Sequence, residues 1–164
     1  MNKKKPPFSI ALLIGFLVIL LSTKNVVAQS FPSFSMQLTN GKLFSAKDLP
    51  QGKPVIIIYF APDCEHCQKL MNIIFKRIRD FKKAQIVMAT FKPVSEVVEF
   101  EKSYQTAKYP NIKVGIEVPV FFFRTYYDVE NTPFTVLYDK HRKLVISYKK
   151  ETPVDDLLKH LKVL

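Results

Sequence analysis

Residues 54–70 read PVIIIYFAPDCEHCQKL, and the step from an apolar run into a close pair of cysteines decides how the rest of the chain is read. Pro54 to Phe60 is β-branched and apolar without alternation, as expected of a central strand covered on both faces. It leads directly into Cys64 and Cys67, the two cysteines of the chain. After them Leu70, Ile74, Ile78 and Phe81 recur near helical spacing, with Lys69, Lys76, Arg77 and Lys83 mostly elsewhere on the wheel. The pattern predicts a helix from Cys64 to Phe81 with Asp63 as its N-cap.

Working outward, Gln85–Thr90 (QIVMAT) is a second buried-type strand, and a second helix starts at Ser95, just after Pro93. Strand, helix, strand, helix makes a parallel βαβ unit. Upstream, Asn40-Gly41 between two short β-like runs marks a hairpin, followed by a helical turn at Ala46–Leu49. Downstream, NIKVGIEV is a candidate strand and PVFFFRTYYDV a short, largely buried helix or turn. Its aromatic residues, Phe121 to Phe123 with Tyr126 and Tyr127, serve as core or as a peptide-docking surface. Phe134–Asp139 and Leu144–Tyr148 form an antiparallel hairpin. Thr152-Pro153 opens a last helix with Thr152 as a cap-like residue and Pro153 at the first position; Val154, Leu157, Leu158 and Leu161 give it one apolar face.

The first 28 residues have a different character. Lys3–Lys5 precede an uncharged run from Phe8 to Leu21, and Val26-Val27-Ala28 supplies small residues for cleavage, which reads as a signal peptide. A retained anchor is the alternative, although a spanning helix usually needs about 20 apolar residues. No cysteine lies near residue 28 to take a lipid. Residues 29–164 then form one exported, periplasmic or extracytoplasmic, domain of ordinary size.

The formal net charge is +11, and four of those charges belong to Lys3, Lys4, Lys5 and Lys24. The remaining lysines are scattered, and arginine occurs only at positions 77, 79, 124 and 142, with no dense arginine–aromatic stripe. This argues against nucleic acid as a partner.

Three readings of Cys64 and Cys67 follow from chemistry. As a staple they close too short a loop to remove much unfolded-chain entropy. As metal ligands they have His66 between them, but His141 and His160 show no motif spacing to the pair, and a structural zinc site needs four ligands; a soft-metal (copper) carrier stays open, as does a redox-inactive binding module. As a redox pair they need no cofactor beyond their own disulfide. A cysteine at a helix N-terminus meets unpaired N–H groups that favour its thiolate, and a second one a turn later can resolve a mixed disulfide.

The hairpin lead-in, GKPVIIIYFAPDCEHC, the long helix and a later Thr132-Pro133 before a strand hairpin and a final helix resemble the exported thioredoxin-like oxidoreductases of the TlpA/ResA type over residues 31–164. The resemblance implies an α/β thioredoxin-like fold, a central mixed β-sheet flanked by helices with an N-terminal β-hairpin. It implies Cys64 as nucleophile, Cys67 as resolving thiol, and Thr132 with a cis Pro133 binding substrate beside Cys64. The expected partners are thiols or disulfides of exported proteins, with a membrane redox partner for recycling, and the resemblance favours a reductant.

Two departures stand out. Thioredoxins carry Trp just before the first cysteine and a buried Asp six residues before it; here these are Asp63 and Ile58, and the chain has no tryptophan. Glu65 is then either a substitute proton acceptor or only a first-turn acid. His66, if charged, favours the Cys64 thiolate, whereas Asp63 and Glu65 oppose it. The peroxiredoxin pattern Pro-x-x-x-Thr/Ser-x-x-Cys is not met: the two positions are Ile57 and Ala61 for Cys64, and Phe60 and Cys64 for Cys67.

Overall fold

The computed structural model describes residues 30–164, and the expected signal peptide or anchor lies outside the described residues. The hairpin comes first: β1 (Ser35–Gln37) and β2 (Leu43–Ser45) pair antiparallel. Their turn is held by the Leu38 N–H on the Lys42 carbonyl at 2.9 Å, and Gly41 has φ +80, a conformation open to glycine at no steric cost. A short 3-10 turn at Ala46–Asp48 follows, with the Asp48 carboxylate accepting from the Ser45 N–H and hydroxyl at 2.7 and 2.8 Å.

The βαβ units form as read. β3 (Val55–Tyr59), α1 (Glu65–Lys76), β4 (Gln85–Thr90), α2 (Val94–Tyr104) and β5 (Ile112–Val118) alternate, with β3, β4 and β5 mutually parallel. α3 (Phe122–Tyr127) then crosses to β6 (Phe134–Tyr138), which pairs antiparallel with β3; β7 (Leu144–Lys149) and α4 (Val154–Lys162) complete the chain. The seven-stranded mixed sheet runs β2-β1-β5-β4-β3-β6-β7. Among the described residues no helix is long and apolar enough to cross a membrane.

Every residue of β3 is buried because each face of the sheet carries its own core. Ile56, Ile58 and Phe60 pack with Cys67, Leu70, Met71 and Ile74 of α1, Val97 and Phe100 of α2, and Leu157, Leu158 and Leu161 of α4. Val55, Ile57 and Tyr59 face the opposite layer, built from Phe34, Met36 and Phe44 with Phe123, Tyr127 and Phe134. A pleated strand points successive side chains to opposite faces, so a strand covered twice must be apolar throughout.

Three local expectations are corrected. α1 ends at Lys76, and the apolar rhythm continues because a 3-10 turn at Ile78–Phe81 still buries Phe81. Its N-cap is Cys64, one residue later than expected: Cys64 keeps an extended backbone while its carbonyl accepts the first helical bond, and the Asp63 carboxylate pairs with Lys92. α4 is capped at Pro153, and the Thr152 hydroxyl bonds Thr135 Oγ1 at 2.7 Å instead of a helix N–H.

Candidate functional site

The parallel strands β3, β4 and β5 end at one edge of the sheet, where β6 begins, and both cysteines lie there. After β3 the Phe60 N–H still reaches the Ala89 carbonyl at 3.0 Å, and the chain turns so that the Cys64 N–H meets the Ala61 carbonyl at 3.1 Å. Gln68 fastens this turn from above, its Nε2 donating to the Pro62 carbonyl at 2.9 Å. Cys64 keeps an extended backbone while its carbonyl accepts the first helical bond, from the Gln68 N–H at 2.9 Å. This is N-cap geometry, and it leaves the sulfur at the positive end of a twelve-residue helix.

The Cys64 thiol is half-buried and donates to the Thr132 carbonyl at 3.6 Å, whereas Cys67, one turn along, is 1 % exposed. Both thiols are free. The Thr132-Pro133 bond is cis, and so is Val118-Pro119, which the sequence did not signal. The Pro133 carbonyl accepts the Lys150 N–H at 3.0 Å, tying the loop before β6 to the end of β7.

The two sulfurs differ in acidity. Burial pushes the Cys64 thiol up, but hydrogen bonds from the Cys67 thiol and N–H, the Thr132 side chain and the His66 N–H outweigh it, and its pKa lies below the ordinary thiol value. Burial dominates at Cys67 and pushes its thiol up to about 12, despite a backbone hydrogen bond from Ala61. At neutral pH the pair therefore presents one accessible, acidic sulfur and one buried, protonated one.

The flanking acids are both paired. Glu65 is exposed and bonds Lys69 at 2.6 Å, and that partner holds its carboxyl below the usual range. Asp63 is held by Lys92, from the loop after β4, which lowers its carboxyl likewise. His66 is exposed and, with Ile73, Pro133, Lys150 and Thr152, lines a groove of about 190 Å³. A larger groove of about 660 Å³ opens between α1 and α2 beside Pro62 and Asp63.

Among the described residues the cross-strand neighbour of Ile58, which shares a core layer with Cys67, is the buried Thr135 and not a carboxylate. The fully buried acid of this end is Glu117, which the sequence reading did not single out. It accepts from the Tyr59 hydroxyl at 2.9 Å, the Phe121 N–H at 3.0 Å and the Phe123 N–H at 2.8 Å. Tyr59 belongs to the core layer opposite Cys67, so Glu117 anchors α3 and is not beneath the thiols. Its one sequence signal was an acid inside an apolar strand.

The aromatic segment divides by burial. Phe123 and Tyr127 are core, while Phe121 is 43 % exposed with its ring 5.5 Å from that of Phe91. Among the described residues no group of three or more His, Cys, Asp or Glu side chains converges on a metal position.

No curated protein sequence matches the chain. Among solved structures, DsbF from Mycobacterium tuberculosis is similar with a TM-score of 0.65 at 19% identity, covering 85% of this chain and 98% of that one. A secreted disulfide oxidoreductase of the same organism, homologous to Escherichia coli DsbE, gives 0.65 at 18%, covering 80% and 96%. The exposed lipoprotein thioredoxin of Streptococcus pneumoniae gives 0.61 at 21%, covering 81% and 100%. At these identities the likeness establishes a thioredoxin-like fold. The AhpC/TSA family profile matches residues 27–157, most of the chain and all of the sheet, and the protein belongs to that family.

Proposed function

We propose that this protein is an exported thiol–disulfide oxidoreductase that reduces disulfides of other exported proteins through Cys64 and Cys67. The observation that carries the reading is the placement of two free thiols at one helix start: a half-buried Cys64 at the N-cap beside the Thr132 carbonyl and a buried Cys67 one turn on. Family membership and fold support a redox enzyme acting on protein thiols. The solved relatives named as a secreted oxidoreductase and an exposed lipoprotein support an extracytoplasmic setting.

The chemistry balances as two exchanges. The Cys64 thiolate attacks one sulfur of a substrate disulfide, forming a mixed disulfide and releasing the other substrate sulfur as a thiolate. Cys67 then loses its proton and attacks Cys64 Sγ, expelling the second substrate thiolate and closing the Cys64–Cys67 disulfide. The substrate gains two electrons and two protons, one from Cys67 and one from solvent. A membrane dithiol donor returns the pair to the reduced state.

Thr132 and Pro133 border the substrate position: the Thr132 carbonyl faces Cys64, and Pro133 lines the groove shared with His66 and Lys150. Glu65, exposed and paired with Lys69, has the surroundings of a first-turn acid.

Trapping tests the reading. Cys67→Ser should accumulate mixed disulfides through Cys64 that a reductant dissolves, and mass spectrometry identifies the partners. Unchanged turnover of a disulfide or dithiol substrate by Cys64→Ser would sink the proposal.

A further inference from the structure

Two carboxylates flank Cys64 in sequence, and an unpaired carboxylate close to a thiolate disfavours it by like-charge repulsion. Both have lysine partners, but the partners are not equivalent. Lys69 and Glu65 lie four apart on the open face of α1, with side chains 66% and 75% exposed; solvent screens such a pair and its geometry is loose. Lys92 comes from another element, its side chain is 23% exposed against 60% for Asp63, and it holds the residue immediately before Cys64.

The loop that carries Lys92 is itself fixed. The Lys92 N–H donates to Thr90 Oγ1 at 3.2 Å, and its ammonium lies 5.8 Å from the centre of the Phe91 ring. That ring packs against Tyr59 at 5.9 Å and Phe121 at 5.5 Å. Lys92 is therefore delivered to Asp63 by packed aromatic residues at the strand ends. A lone charge acts at a distance as its full Coulomb term, whereas a contact ion pair acts only as a dipole that decays faster.

We propose that Lys92 is a positioning residue for Cys64: by holding the Asp63 carboxylate it removes a negative charge that would otherwise oppose formation of the Cys64 thiolate. The inference rests on the oxidoreductase reading and adds to it a residue of another loop that sets the reactivity of the pair. The other charged or titratable groups around Cys64 are Cys67, Glu65, His66 and Lys69 on its own segment, Glu96 of α2 near Lys92, and Lys150 across the Pro133 groove.

The test is the ultraviolet thiolate titration of the reduced full-length protein, with its equilibrium against a glutathione buffer as second readout. Lys92→Met exposes the Asp63 charge and should raise the Cys64 pKa by about half to one unit, a three- to tenfold loss of thiolate below the pKa. The disulfide of this variant should become less oxidising, by less than the tenfold in equilibrium constant that corresponds to about 30 mV. Asp63→Asn should lower the pKa, the double variant should return close to wild type, and Lys92→Arg should preserve it. Lys69→Met should move it less than Lys92→Met.

Raised salt should shrink the Lys92→Met shift. The proposal is overturned if Lys92→Met leaves the titration unmoved, or if the double variant shifts as far as Lys92→Met alone. Asp63→Asn decides the matter if Lys92→Met fails to fold. Because the titration needs no substrate, it reads Lys92 even if Cys64→Ser were to show that the exchange activity is absent.

Discussion

Cys64 and Thr132 are 68 residues apart in sequence, and the thiol of one donates to the backbone carbonyl of the other at 3.6 Å. One sulfur thus joins the start of α1 to the loop before β6. A carbonyl cannot donate to a thiolate, so this bond belongs to the protonated form. What favours the thiolate is a separate set of donors, namely the Cys67 thiol and N–H, the Thr132 side chain and the His66 N–H.

The reduced protein is therefore expected to titrate in two well-separated steps. The first, at Cys64, lies below the ordinary thiol value, and the second, at Cys67, lies near 12. The rate of attack on a small disulfide should rise with pH through the first step and then level off. Because the Cys64 pKa is depressed on folding, its contribution to the stability of the reduced protein is present above the unfolded thiol pKa and is lost as pH falls through the folded one. Thiolate absorbance in Cys64→Ser and Cys67→Ser checks the assignment; a first step that survives in Cys64→Ser contradicts it.

Glu65 gives a sharper contrast. Its carboxylate is exposed and paired with Lys69 in the i, i+4 arrangement, where solvent screens the attraction. Glu65→Gln is expected to leave the stability almost unchanged, as surface substitutions usually do. The pH–rate profile should keep its shape, because an outward-facing acid held by a lysine does not take the proton of buried Cys67. Loss of the second exchange step, seen as persistent mixed disulfide, would return Glu65 to the role of proton acceptor.

The legible parts of this molecule are those encoded by near neighbours. Val55–Tyr59 declares its double burial by five consecutive apolar residues, Asn40-Gly41 declares the hairpin, and the cysteine pair marks the strand-to-helix junction and with it the candidate site. The cis Thr132-Pro133 bond was expected from resemblance alone. Illegible were the features made by distant partners. Lys92 is 29 residues from Asp63, and it takes the carboxylate that the sequence offered as the helix cap. Glu117 reads as an odd acid in a strand until Tyr59, 58 residues away, and two N–H groups of the α3 start meet it. The end of α1 was misplaced because a 3-10 turn buries Phe81 on nearly the same rhythm.

Gly115 tests how the hairpin is attached to the sheet. A Cβ there would lie 2.8 Å from the Gln37 carbonyl oxygen and 3.2 Å from Met36 Cβ, so β1 could not keep its distance from β5. Gly115→Ala is expected to cost about 1–3 kcal/mol, the usual range for overpacking. Amide exchange should accelerate in Ser35–Gln37 and Leu43–Ser45 before it does in β3 or β4. Uniform acceleration across the sheet would refute the local account.

Glu117 carries the largest expected loss. Glu117→Ala leaves the Tyr59 hydroxyl and the Phe121 and Phe123 N–H groups without their acceptor. An unsatisfied buried polar group costs about 1–3 kcal/mol, so a total near 3 kcal/mol or more is expected from urea denaturation. Glu117→Gln should lose less and should also alter the pH dependence. Burial raises the Glu117 carboxyl above its ordinary value, so the folded state holds this proton more tightly than the unfolded chain does. Its contribution to stability is therefore greatest below the unfolded pKa and declines as pH rises through the folded pKa. Glutamine has no such proton, so the advantage of wild type over Glu117→Gln should shrink between mildly acidic and neutral pH. An advantage that grows with pH would mean that the three donors outweigh burial and that the carboxylate is favoured in place.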